Sequence, residues 1–288
     1  TDEITGKIVY EYDLSDSAMT YISYSEGFKP GGSNLTFGFE NDNAPAMVFP
    51  TFESETVSSL EAGLKTDLMD GRARANIAVF SYDYENLQFQ ATDPDPYRGG
   101  VANIPQSEMS GVEIEIDALI NDNLTLDLNL SKLDTEVTSD YEVLDNVDAY
   151  AYFFGEEDIR YGLRENVRGN MLAKSPESSA DLNLIYETGL ASGNDLKAVL
   201  QIIKRGDFMQ RVSNNPIVDA IDSYTVINLS VGIEYPETYP VSKVDLILLN
   251  ASDKDGVNSS MTDVFGVAAT GIELIAPRQF MVRLSKNF

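Results

Sequence analysis

The stretch Leu60-Glu61-Ala62-Gly63-Leu64-Lys65-Thr66-Asp67-Leu68-Met69-Asp70-Gly71-Arg72-Ala73-Arg74-Ala75-Asn76-Ile77-Ala78-Val79 decides the fold. In its first half Leu60, Ala62, Leu64 and Leu68 share one parity, and Glu61, Gly63, Lys65 and Asp67 share the other. In its second half Ala73, Ala75, Ile77 and Val79 alternate with Arg72, Arg74, Asn76 and Ala78. A period of two marks a strand with one apolar and one polar face. Asp70-Gly71 between the two runs predicts a tight hairpin, because a type I′ turn needs positive φ at both central residues. The whole unit spans Ser54 to Tyr84, and its strands are about twice the usual 5–6 residues.

The pattern recurs outward from this hairpin. Strands are predicted at Lys7–Leu14, Ala18–Gly27, Met109–Ile120, Leu124–Ser131, Ser178–Tyr186, Asp195–Lys204, Tyr224–Glu234, Lys243–Asn250 and Pro277–Phe288. That makes about eleven strands and no helix. The connections alternate in length. Asp13–Ser17, Asp70-Gly71, Asn121–Asn123, Glu187–Asn194 and Tyr235–Val241 are short. Phe28–Thr51, Leu87–Ser107, Asp134–Lys174, Arg205–Ala220 and Ala251–Ala276 are long and read as loops. All short turns then lie at one end of an antiparallel sheet and all long loops at the other. Outer-membrane barrels have this asymmetry.

Composition narrows the chemistry. The chain has 288 residues with no Cys, His or Trp. Disulfides, thiolate metal sites, imidazole bases and axial His ligation are therefore excluded within it. Net charge is −27, the wrong sign for nucleic acid. It fits a solubilising acidic surface or loops that attract cations. No run reaches the roughly 18 apolar residues of a membrane helix, which says nothing against a barrel. Thr1 has no signal peptide behind it and the first strand begins near Lys7, so the chain reads as a fragment or mature piece.

A transmembrane barrel accounts for both faces. Lipid takes the apolar residues, and Glu61, Lys65, Arg74, Asn76, Glu113, Glu115, Asp127 and Asn129 face the aqueous lumen. Tyr10, Tyr12, Tyr84, Tyr186 and Phe288 lie near strand ends, where interfacial belts sit. Complete single-chain barrels have even strand counts, so eleven strands read as the last part of a larger barrel. Alone they leave two open edges.

The longest connection, Asp134–Lys174, holds ten acidic residues, three arginines and six aromatics. Tyr150, Tyr152, Phe153, Phe154 and Tyr161 can stack on a planar ligand, while Arg160, Arg164 and Arg168 pair with anionic groups. The same composition suits a self-packed surface loop. Asp253-Lys254-Asp255-Gly256 lacks the acid that a calcium loop needs at its twelfth position and reads as a turn. Asp93, Asp95, Glu156, Glu157 and Asp158 are weak candidates for Ca²⁺ at an outer surface. Glu113 with Glu115 resembles an acid/base pair, but on a strand it only lines one wall.

Several stretches resemble the TonB-dependent receptors of Gram-negative outer membranes. They are Tyr21-Ile22-Ser23-Tyr24-Ser25-Glu26-Gly27-Phe28-Lys29-Pro30-Gly31-Gly32, Leu60 to Asp67, Ala78 to Gln88, Gly111-Val112-Glu113 and Pro277-Arg278-Gln279-Phe280. The final Phe288, with Phe280, Val282 and Leu284 on its parity, is similar to the C-terminal signal read by the barrel-assembly machinery. The resemblance implies an all-β, antiparallel, up-and-down transmembrane barrel of about 22 strands. Residues 1–288 would be its C-terminal part, with the N-terminal plug and first strands missing. It implies a non-enzymatic receptor for TonB-driven uptake across the outer membrane, with a ferric siderophore as cargo and no cofactor or resident metal. TonB, the assembly machinery and outer-membrane lipid are the expected partners. A passive channel or adhesin barrel and a soluble acidic β-sandwich binding module are the alternatives.

The facing of the hairpin is directly testable. Aspartate at Leu64 or Ile77 is expected to reduce the heat-modifiable, membrane-assembled fraction, and aspartate at Asn76 to leave it unchanged. An equal response at both kinds of site contradicts the facing.

Overall fold

The computed structural model describes residues 3–35, 48–94, 97–145, 164–236, 240–262 and 270–286. In chain order the strands are β1 (Lys7–Ser15), β2 (Ala18–Lys29), β3 (Gly32–Ser33), β4 (Thr51–Phe52), β5 (Glu55–Leu68), β6 (Ala73–Pro94), β7 (Tyr97–Asn121), β8 (Leu124–Val137), β9 (Glu142–Leu144) and β10 (Arg164–Asn166). They continue as β11 (Ser178–Gly189), β12 (Asp195–Arg205), β13 (Phe208–Met209), β14 (Ala220–Ile221), β15 (Tyr224–Glu234), β16 (Lys243–Leu249), β17 (Val257–Thr262), β18 (Thr270–Leu274) and β19 (Gln279–Ser285). Eleven form one antiparallel sheet in the order β1-β2-β5-β6-β7-β8-β11-β12-β15-β16-β19. The remaining eight pair two by two within the long connections. No helix occurs among the described residues. A sandwich is not formed, because the other sheets have two strands each.

The strand positions follow the period-two reading, but several predicted loops do not. Leu87–Ser107, expected as a loop, is the far half of a continuous hairpin, with β6 and β7 paired out to Pro94 and Tyr97. The roughly 15 residues beyond Val79 extend the hairpin about 50 Å past the apolar stretch of the wall. The other long connections carry the pairs β3·β4, β9·β10, β13·β14 and β17·β18. The β5–β6 turn is also longer than the predicted two residues. Met69, Asp70 and Gly71 have φ of 54°, 56° and 82°, and the Arg72 amide donates to the Met69 carbonyl at 3.2 Å. Asp70-Gly71 therefore supplies the two positive-φ centres, as expected, inside a four-residue connection. Gly71 takes this conformation at no steric cost.

Register places the predicted polar wall residues on one face of the sheet. Glu61 pairs with Phe80 and Ser23, and Lys65 with Asn76. Asn76 pairs with Glu115, Arg74 with Asp117, and Ala78 with Glu113. Glu115 pairs with Asn129 and Asp117 with Asp127. The eight polar wall residues singled out in the sequence thus share one face. The other face carries Leu60, Ile77, Val79, Leu229, Val231 and Leu246, all exposed. Leu60 and Val79 are 51% and 52% exposed in the middle of a hydrogen-bonded sheet. Soluble monomers rarely expose apolar patches beyond a few hundred Å², so this face is built for lipid.

Buried apolar residues gather instead at the long-loop end. Ile104, Val137, Val143, Leu144, Val167, Leu172 and Val212 form one cluster, with Leu87, Phe89, Met109 and Tyr141 packed on it. The Phe89 and Tyr141 rings meet edge to face at 5.8 Å. The far part of the β6–β7 hairpin is thus held by a small core that its connections build together.

One cross-strand pair holds the register of β5 against β2. Gly63 lies opposite Tyr21, and a Cβ at Gly63 would run into the Tyr21 ring. The bare backbone lets the ring lie flat and its hydroxyl donate to Glu61 Oε1 at 2.6 Å. We expect Gly63→Ala to cost about 1–3 kcal/mol in unfolding of the reconstituted protein. In a Tyr21→Ala background the same change should be nearly silent. Additive effects would show that the pair does not set the register.

Candidate functional site

The polar face carries several groups of hydrogen-bonded side chains. Asn76 Nδ2 donates to Glu115 Oε2 at 3.1 Å and Asn129 Nδ2 to Asp127 Oδ1 at 2.9 Å. Further along, Gln201 Nε2 donates to Asp181 Oδ2, and Asn228 Nδ2 to Gln201 Oε1 at 3.0 Å. The Asn250 amide then reaches Asn228 Oδ1 at 2.9 Å. A shallow recess of about 180 Å³ opens on this face beside Tyr21, Glu61, Lys65, Asn76, Glu113 and Glu115. It brings five of the eight predicted wall residues together.

At the long-loop end, a larger cavity of about 500 Å³ lies among β6, β9, β17 and the β12–β15 connection. Phe89, Val143, Leu144 and Met261 give it apolar walls, and Gln88, Lys174, Gln210 and Arg211 add polar ones. The size suits a small ligand.

Arg211 is the organiser here. Its Nε and Nη2 grip Asp219 at 2.6 and 3.1 Å, and Nη2 also reaches Asp145 Oδ1 at 3.1 Å. Both carboxylates are fully buried. Asp219 further accepts from Ser213 Oγ and the Asn215 amide, and Asp145 accepts from Asn215 Nδ2 at 2.6 Å. Burial weakens the hold of the Arg211 guanidinium on its proton, but the hydrogen bonds and charge of Asp219 and Asp145 outweigh it and raise its pKa. The cluster ties the β8–β9 region to the β12–β15 connection. Sequence reading missed it because Asp145 and Arg211 are 66 residues apart.

The ligand-loop residues divide. Tyr150, Tyr152, Phe153, Phe154, Arg160 and Tyr161 lie outside the described residues, as does Phe288 of the assembly signal. Arg164 opens β10, opposite Leu144. Arg168 pairs with Asp140 at 3.3 Å, both of them exposed. The Asn166 hydrogen bond, then the Arg168 charge, holds the Asp140 carboxyl below the usual range. That contribution is present above the ordinary carboxylate pKa and is lost as pH falls through the lowered value. Phe280, Val282 and Leu284 line the exposed apolar face of β19. Asp253 serves the turn, accepting the Arg278 amide at 3.0 Å and its guanidinium at 3.3 Å.

Arg211→Met leaves two buried carboxylates without their cation. We expect a local destabilisation near the lower end of about 3–5 kcal/mol. Hydrogen exchange should speed up within residues 138–145 and 207–223, with the wall strands unchanged. Unaltered exchange in both segments would contradict the organising role.

Comparison with known proteins gives this geometry a family. Residues 1–251 match the family model described as "TonB dependent receptor-like, beta-barrel". A curated relative, the "Probable TonB-dependent siderophore receptor PiuA" of Acinetobacter baumannii, is 26% identical over 141 residues, covering 48% of this chain and 18% of that protein. The "Metal-pseudopaline receptor CntO" of Pseudomonas aeruginosa is 23% identical over 224 residues, covering 76% of this chain and 26% of its own. Among solved structures, the ferric yersiniabactin uptake receptor FyuA of Yersinia pestis superposes with a TM-score of 0.72 at 17% identity, covering 96% of this chain and 36% of that one. The chain therefore spans only a part of the relatives it matches, and it belongs to the TonB-dependent receptor-like β-barrel family.

Proposed function

We propose that the chain is the C-terminal part of an active outer-membrane receptor that takes up a ferric siderophore with energy delivered through TonB. Barrels of this family are outer-membrane proteins of Gram-negative bacteria, and the family consists of receptors and transporters. The observation that carries the reading is the pairing of an exposed apolar face with a hydrogen-bonded polar face, capped at one end by a folded loop cluster around a cavity. The names of the relatives support a metal-loaded small ligand as cargo.

The open edges add to this. Among the described residues β1 and β19 each pair on one side only. In lipid such edges leave backbone groups unsatisfied at several kcal/mol each, so further strands complete the wall. A barrel of about 22 strands has a lumen wide enough to hold a plug. In this reading Glu61, Lys65, Arg74, Asn76, Glu113, Glu115, Asp127 and Asn129 face that lumen. The loop residues from Tyr150 to Arg168 meet the ligand above it, and the exposed apolar edge of β19 serves recognition by the assembly machinery. The chain acts by binding and passage, not by catalysis.

Uptake of radiolabelled ferric siderophore by iron-starved cells tests the proposal. It should be lost on deletion of the receptor gene, in a TonB-deficient strain and after protonophore treatment. Uptake that survives loss of TonB would favour a passive channel instead.

A further inference from the structure

The polar face is not uniform across the sheet. On β5 and β7 the alternation is strict: Glu61, Gly63 and Lys65 stand between Leu60, Ala62 and Leu64, and Glu113 and Glu115 between Val112, Ile114 and Ile116. On β12 and β16 it fails. Ala198-Val199-Leu200, Ile202-Ile203 and Leu246-Ile247-Leu248-Leu249 are unbroken apolar runs. Such runs mark strands with apolar material on both faces.

Register gathers the extra apolar residues into one row. Ile185 lies opposite Thr125 and so shares the face of Asp127 and Asn129. Val199 lies opposite Ile185, Ser230 opposite Val199, Ile247 opposite Ser230 and Met281 opposite Ile247. The row crosses β11, β12, β15, β16 and β19, about 19 Å at the usual strand spacing. Ile185, Val199 and Ile247 are half-buried, and Met281 is exposed. Ile203 and Val226, opposite each other, extend the apolar surface toward the long loops. Lipid is not the partner of this row. The other face of the same strands carries its own row of Leu184, Leu200, Leu229, Leu248 and Phe280 for that.

The polar groups on either side of the inner row are spent on one another. Toward the short turns, Lys197 pairs with Glu187 at 2.8 Å, and Lys243 and Arg283 pair with Asp245 at 3.3 and 3.1 Å. Toward the loops, Gln201 links Asp181 to Asn228. The interior of a water-filled barrel is polar, whereas an apolar surface rimmed by polar groups marks a contact with protein. Chain length supplies a candidate. The chain covers 36% of the yersiniabactin receptor, so a second set of eleven strands of similar length would leave roughly a quarter of such a polypeptide for the lumen.

We propose that the inner wall of β11, β12, β15, β16 and β19 is the seat of a folded domain of the same polypeptide, outside residues 1–288, which packs an aliphatic surface on Ile185, Val199, Ile247 and Met281. The proposal rests on the uptake-receptor reading above and adds which wall of the lumen is covered by protein.

The test uses the intact receptor reconstituted in lipid, with a nitroxide on a single cysteine in Val199→Cys, Ile247→Cys, Leu200→Cys or Asp70→Cys. Collision with oxygen reports lipid, and collision with a water-soluble nickel complex reports water. Leu200 should respond to oxygen and Asp70 to nickel. At Val199 and Ile247 both responses should be lost, as for a site inside protein. A photo-reactive benzoylphenylalanine at Val199 should then cross-link within the receptor to a peptide outside residues 1–288. Heat-modifiable migration checks that each variant is folded. Nickel collision at Val199 and Ile247 equal to that at Asp70, oxygen collision equal to that at Leu200, or cross-links only to residues within 1–288 overturns the seat. Cell uptake separates the two readings. TonB-dependent uptake with Val199 open to water overturns only the seat, and a shielded, cross-linked Val199 with TonB-independent uptake overturns only the transport reading.

Discussion

The structure depends on one constraint: backbone N–H and C=O groups that meet no water must pair with each other. An antiparallel meander meets it strand by strand, and the side-chain alternation then follows from the pleat. The pairing from β1 to β19 places Glu61, Asn76, Glu115 and Asn129 on one face and Leu60, Ile77, Ile116 and Leu128 on the other. A slip of one residue on β5 or β7 would turn Glu61, or Glu113 and Glu115, toward the apolar side. The fit of Tyr21 over Gly63 protects against such a slip.

Because the wall gives its apolar surface to lipid, it contributes little core of its own. Interior packing is moved to the long-loop end, where Ile104, Val137, Leu144 and Val212 meet. The Arg211 cluster sits beside that packing and joins segments far apart in sequence. The two together frame the cavity of about 500 Å³ at that end.

The wall was legible because its signal is local. The alternation in Tyr224–Glu234 gave that strand's bounds as observed, and Asp70-Gly71 gave the turn. The outer parts were not legible because their order comes from contacts distant in sequence. Pro94, Pro105, Gly99 and Gly100 argue for a loop, yet cross-strand pairing carries β6 and β7 through them. Leu87 and Phe89 do alternate, but with a loop core and not with lipid. The Asp145–Arg211–Asp219 cluster has no spacing that a single sequence could reveal. The aromatic residues Tyr150 to Tyr161 remain a reading from composition.

The central claim is that the two faces of one sheet meet two solvents. The chain contains no cysteine, so single cysteines placed along β5 from Ser58 to Leu68 in the reconstituted receptor can each carry a nitroxide. Collision rates with oxygen, which concentrates in lipid, should rise and fall with a period of two, high at Leu60, Ala62 and Leu64 and low at Glu61, Gly63 and Lys65. A flat profile, or one with the opposite phase, would contradict the account.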